Sequence, residues 1–156
     1  MNCELPMAPA GYAMSETADE KKRRKRKYHV TAESTGKHLV MAELLRRGFE
    51  AELAGSRYEK HDMLVWASGS RPKPIQIKTV HSPPWYMRRA SFTKLADQVT
   101  VYVLLGAEIS MPPARFFVVK NGDLADHFRQ PPTWKAFGFI DVKSVGTYED
   151  NWEILG

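Results

Sequence analysis

Apolar residues along this chain switch between helical and strand spacing, and the switches delimit its elements. From about Thr31 onward, Leu39, Val40, Met41, Leu44 and Leu45 recur at the helical period, and Gly48 stands where a C-terminal cap would. A first helix is predicted there. Residues 49–54 read as a short strand, and the polar stretch 55–60 as a turn that returns the chain antiparallel. Residues 62–67 and 74–80 are two apolar runs separated by Ser68, Gly69, Ser70, Arg71 and Pro72, the best hairpin signal in the chain. Pro83 and Pro84 argue against a continuing strand, so residues 81–93 read as a loop leading to a short helix near Lys94. Two more strands are predicted at 99–105 and 115–119, with a Pro-rich connection between them, and a helical turn or two at 122–129.

Residues 1–27 show neither period and are predicted to be a disordered basic N-terminal tail, which leaves 28–156 as one domain. A chain of 156 residues with 43% apolar content can bury a single sizeable core. Charge changes the picture more than size does. The unbroken run Lys21, Lys22, Arg23, Arg24, Lys25, Arg26 and Lys27 holds seven charges, and removing them from the net +5 leaves −2 for the rest. Outside that run the chain is therefore not basic overall, and binding to a polyanion needs a local patch or the tail itself. The run reads equally as a phosphate-binding arm, with Lys25 and Arg26 within it, or as a solubilising tail. In a eukaryotic source it would also be a nuclear-import signal. A lone cysteine, Cys3, excludes a disulfide framework and a Cys-based zinc site. With no apolar leader core and no stretch near the roughly 18 to 20 apolar residues of a membrane span, the expectation is a soluble cytoplasmic protein, nucleoid-associated in a prokaryote and nuclear in a eukaryote.

The candidate chemistry sits on the hairpin. Strand alternation puts Gln76 and Lys78 on one face and Ile75, Ile77 and Thr79 on the other. If the hairpin turns around Gly69 and Ser70, residues whose numbers sum to about 140 face each other, and Asp62 falls opposite or nearly opposite Lys78. Singly, these are ordinary residues: a turn aspartate, a hydrogen-bonded strand amide, a snorkelling lysine. Together on one face of an apolar sheet they are costly to desolvate unless they pair or bind something. Phosphodiester hydrolysis needs a hard cation on oxygen ligands and a group that positions the attacking water. Asp62, the Gln76 amide oxygen and the Ile77 carbonyl can hold Mg²⁺ or Mn²⁺, and Lys78 can orient the water or stabilise charge.

A helix ending in Leu-Leu-Arg-Arg-Gly, followed by His61-Asp62 and, after thirteen residues, Gln76-Ile77-Lys78, resembles the PD-(D/E)xK, or restriction-endonuclease-like, superfamily over about residues 31 to 120. The resemblance implies an α/β fold with an αβββαβ core, a mixed central sheet flanked by helices, and a metal-dependent nuclease centre. Two positions depart from the pattern. Gln76 stands where an acid is usual, and Lys37 follows Gly36 where similar helices read Gly-Glu; a lysine cannot be a metal ligand. Glu33, on the core-facing stripe of the first helix, is the substitute acid, and reads equally as a first-turn acid favoured by the helix dipole.

Trp85, Tyr86, Arg88 and Arg89 follow the hairpin, and an aromatic and basic loop of this kind can stack on bases and contact phosphates, or close over the core edge. The leading expectation is a Mg²⁺-dependent endonuclease acting on DNA in preference to RNA, for which a homodimer would supply the two sites that double-strand cutting often needs. The alternative is a nuclease fold without catalysis that binds nucleic acid or a partner protein, favoured by Gln76 and Lys37.

Overall fold

A computed structural model describes residues 16–55, 61–106 and 113–156. It opens with a 29-residue helix, α1 (Ala18–Arg46), started by a capping box in which the Thr17 hydroxyl accepts from the Glu20 N–H and the Glu20 carboxylate from the Thr17 N–H. The helix predicted from about Thr31 is its C-terminal half. Its N-terminal half carries the basic run, so residues 18–27 are helical and not the structureless tail the composition suggests. Lysine and arginine are good helix formers, and the capping box supplies the start signal. Every charge of that run is exposed, and burial begins at Ala32, continuing through Val40 and Leu44. Cys3 and the remainder of the predicted tail, residues 1–15, lie outside the described residues.

The strands are β1 (Glu50–Leu53), β2 (Met63–Trp66), β3 (Lys73–Val80), β4 (Trp85–Arg88), β5 (Val99–Leu104), β6 (Arg115–Lys120) and β7 (Phe137–Ile140), with short helices α2 (Ala90–Thr93) and α3 (Val142–Val145). A five-stranded sheet runs in the order β1-β2-β3-β5-β6, antiparallel except for the parallel pair β3–β5. The α-β-β-β-α-β order of the expected core is thus present. β4 is an addition to it: inside the β3-to-β5 crossover the chain forms a strand, where the prolines suggest a loop, and pairs with β7 in a separate two-stranded ribbon. A 3₁₀ helix at Asn121–His127 occupies the predicted helical turn.

Alternation divides the core into two layers. On one face of the sheet Met63, Val65, Ile75, Ile77, Val101, Val103 and Val118 pack under Val40 and Leu44 of α1 and under Trp152 and Leu155. On the other face Tyr102, Phe117 and Val119 meet Trp85, Met87, Phe92 and Ile140 of the ribbon and its neighbours. β5 is buried on both faces, which explains its near-continuous apolar sequence.

The hairpin register differs from the expected one by two. Met63 faces Ile75 and Val65 faces Lys73, so paired numbers sum to 138, and the register continues to place Asp62 opposite Gln76 and not Lys78. Gly69, at φ +71°, lies at the centre of the connection, where a left-handed conformation suits glycine.

A lysine-bridged candidate site

Asp62 stands at the bend just before β2 and closes an edge that β2 leaves open. The β2–β3 register ends at Met63 and Ile75, so the next outward-facing amide of β3, that of Ile77, needs another acceptor. Asp62 Oδ2 takes it, at 2.8 Å. The Ile77 carbonyl points along the same edge, because N–H and C=O of one strand residue share a side. Asp62 Oδ1 lies 2.9 Å from the Nζ of Lys37, and that same nitrogen lies 2.9 Å from Glu33 Oε1, one helical turn back. Lys37 therefore bridges the two carboxylates.

The close approach of α1 to β3 makes this bridge. At Gly36 a Cβ would collide with the Thr79 side chain, so glycine allows the helix to lie against the strand and brings Lys37 to the hairpin edge. Burial pulls the Lys37 pKa down, but hydrogen bonds to Asp62 and Glu33 outweigh it and hold the ammonium above the usual lysine value.

Gln76 and Lys78 share the face of β3 opposite to Ile77 and Thr79, as alternation predicts, level with Thr100 and Tyr102 of β5. Gln76 is half-buried, and its Oε1 has no hydrogen-bond partner among the described residues. Burial pushes the Tyr102 hydroxyl pKa upward, so this group stays protonated. Lys78 lines a cavity of about 400 Å³ with His29 and Ala32 of α1, His81, Trp85 and Tyr86; Asp62, Gln76 and Glu33 do not border it. Asp62 and Glu33 thus meet around Lys37, while Lys78 lines a cavity that neither of them borders.

A divalent cation does not fit this donor set as it stands. Both Asp62 oxygens are engaged, an ammonium occupies the gap between the acids, and among the described residues no three His, Cys, Asp or Glu side chains cluster as a metal site. Like charges at contact distance repel strongly in a half-buried setting.

The four residues after the hairpin separate by strand parity. Trp85 is fully buried and its indole N–H donates to the Val103 carbonyl at 3.2 Å, so it belongs to the core and is not available to a base. Tyr86 is exposed, its ring 5.9 Å from that of Trp134. The Arg88 guanidinium lies 5.1 Å over the Phe137 ring, and Arg89 Nε donates to Gln130 Oε1 at 2.6 Å. Lys25 and Arg26 are exposed on α1, with Arg26 about 16 Å along the helix axis from Lys37. Trp134, Phe137 and Phe139 are not among the residues that the sequence pattern singles out, although Phe-Gly-Phe is an alternating strand signal.

With this geometry in place, the chain matches the structure of a Holliday junction resolvase from the archaeal hyperthermophile Archaeoglobus fulgidus. The TM-score is 0.53 at 15% identity, over 80% of this chain and 95% of the other. The fold is restriction-endonuclease-like. A bacterial homing endonuclease also matches, with TM-score 0.48 and 12% identity over 79% of this chain and 88% of that one. No protein-family model matches, and no curated protein matches in sequence. Within this fold α1, the bend before β2 and the middle of β3 meet, and Lys37 stands among the acids. No helix among the described residues is long and apolar enough to cross a membrane.

Proposed function

We propose that this protein binds nucleic acid, DNA in preference to RNA, on a nuclease scaffold whose cation site is taken by its own lysine. The observation that carries this reading is the Lys37 ammonium, 2.9 Å from both Asp62 and Glu33. A fixed ammonium offsets one of the two carboxylate charges that would otherwise repel a phosphate backbone. Lys78 lining its cavity, and Lys25 and Arg26 on the exposed helix, then supply the phosphate contacts. Support also comes from the scaffold, since the similar archaeal protein is by name a Holliday junction resolvase. Its place of action follows the nucleic acid, at the nucleoid of a prokaryote or in a eukaryotic nucleus.

A second reading keeps the chemistry: a Mg²⁺- or Mn²⁺-dependent endonuclease with Asp62, Gln76 and the Ile77 carbonyl as ligands and Lys78 beside the water, acting as a homodimer on two strands. Gln76 favours it, because a buried acceptor without a partner among the described residues costs roughly 1–3 kcal/mol, which a bound cation would relieve. Incubating plasmid with the protein and Mg²⁺ or Mn²⁺, alongside gel-shift measurements, separates the two. The first reading expects DNA binding that weakens in Lys78→Ala and no cutting above the level of Asp62→Ala and Lys78→Ala. Cutting by the wild type that both variants lose would overturn it in favour of the second.

A further inference from the structure

We propose that the outer face of the β4–β7 ribbon is a stacking surface for the bases of single-stranded nucleic acid. This deepens the proposed nucleic-acid binding and rests on it. Alternation turns Trp85, Met87, Gly138 and Ile140 inward and leaves Tyr86 and Arg88 on β4 facing outward beside Phe137 and Phe139 on β7. Across the ribbon Tyr86 pairs with Phe139 and Arg88 with Phe137. Trp134, from the preceding loop, joins them, 5.9 Å from Tyr86 and 6.4 Å from Phe139 between ring centroids.

Three of the six exposed large hydrophobic residues of the described chain lie on this one surface, Tyr86 at 58%, Phe137 at 45% and Trp134 at 37% exposure. Exposed apolar residues scattered singly need no explanation, whereas a cluster marks a binding surface. Charge identifies the occupant. The two segments that build the surface, 81–94 and 127–140, contain Arg88, Arg89, Lys94, Arg129 and Lys135 and no aspartate or glutamate. An acid-free cationic face on a body that is otherwise net negative calls for a polyanion, and its aromatic rings call for one with planar groups.

A duplex hides its base faces within its own stack, while a single strand presents them, and stacking on aromatic rings is the sequence-tolerant way to hold it. The surface is also held in shape. Arg89 donates to Gln130, whose amide donates to the Trp134 carbonyl, and these residues with Pro131 and Lys135 border a cavity of about 430 Å³ beside the rings. Tyr86 borders both this ring cluster and the Lys78 cavity, so a strand leaving Lys78 would pass directly onto Tyr86 and Trp134.

Fluorescence anisotropy with a labelled single-stranded oligodeoxynucleotide and with its blunt duplex tests this, on the full chain and on Tyr86→Ala, Trp134→Ala and Trp134→Phe. The expected result is tighter binding of the single strand, a loss of roughly tenfold or more in each alanine variant, retention in Trp134→Phe, and little change for the duplex. If the wild type binds DNA and the alanine variants bind the single strand equally well, the stacking surface is refuted while the proposed function stands. If the wild type binds neither form, both fall. Size-exclusion chromatography provides a further check: a dimer that becomes a monomer on Trp134→Ala would assign the face to self-association and overturn the proposal.

Discussion

Lys37 is a cation on the spot where the resemblance leads one to expect a carboxylate, and its effects have a sign. Because its pKa is raised in the folded state, the stability it contributes is complete below the ordinary lysine value of about 10.4 and disappears as pH rises through the higher folded value. Removing it in Lys37→Met should cost about 1 kcal/mol near neutrality, since the pair is partly solvent-screened. The urea midpoints of the two proteins should converge at strongly alkaline pH. Reversing its charge goes further. Lys37→Glu would set three carboxylates together at the hairpin edge, and calorimetry should then register Mn²⁺ uptake that the wild type lacks. That Gln76 and Lys78 share a face is legible in the sequence because strand alternation is local. Lys37's partners are not, because they depend on how closely a helix packs on a strand. Trp85 and Tyr86 are a case of the same kind: adjacent aromatics look alike in the sequence, and only strand parity, hidden by the neighbouring prolines, sends one into the core and the other to the surface.

Among the elements, α1 and β3 position the site, and Gly36 is where they meet. Gly36→Ala would drive a methyl into Thr79, whose Cβ and methyl are also too close to yield by a simple rotation. The expected cost is roughly 1–3 kcal/mol of stability, as for other overpacked sites, read as a lowered midpoint in chemical denaturation. A shift in the Lys37–Asp62 bridge should follow, visible as a changed pH dependence. The hairpin shows the limit of sequence reading at this scale. Two strands and their turn are evident from apolar runs and turn residues, but the register lies two residues away in paired sum, because turn geometry around Gly69 and not composition sets it. The β4–β7 ribbon escapes for a similar reason: its strands are four residues each, residues 89–136 lie between them, and a long-range pairing leaves little local trace.

For the whole molecule, charge is segregated: a basic helix extension, a body of net +2 over residues 28–156, and an acid-free ribbon face. The extension contributes little to the core, so Lys25→Ala with Arg26→Ala should leave stability within about 0.5 kcal/mol of wild type. DNA affinity should fall, with the slope of log affinity against log salt reduced by about one for each phosphate that is no longer neutralised. An unchanged slope would remove the extension from the nucleic-acid surface. The α/β class, the C-terminal half of the first helix, the central hairpin and the buried β5 and β6 strands were determined by the sequence itself, since hydrophobic period and turn chemistry act over a few residues. Tertiary structure alone decided that Lys37 sits between Glu33 and Asp62, that Lys78 lines a cavity with His29 and Ala32 of α1, and that Tyr86 and Trp134 share a surface. Each of these is a meeting of side chains set by close packing of whole elements, and period and composition carry no distance between elements.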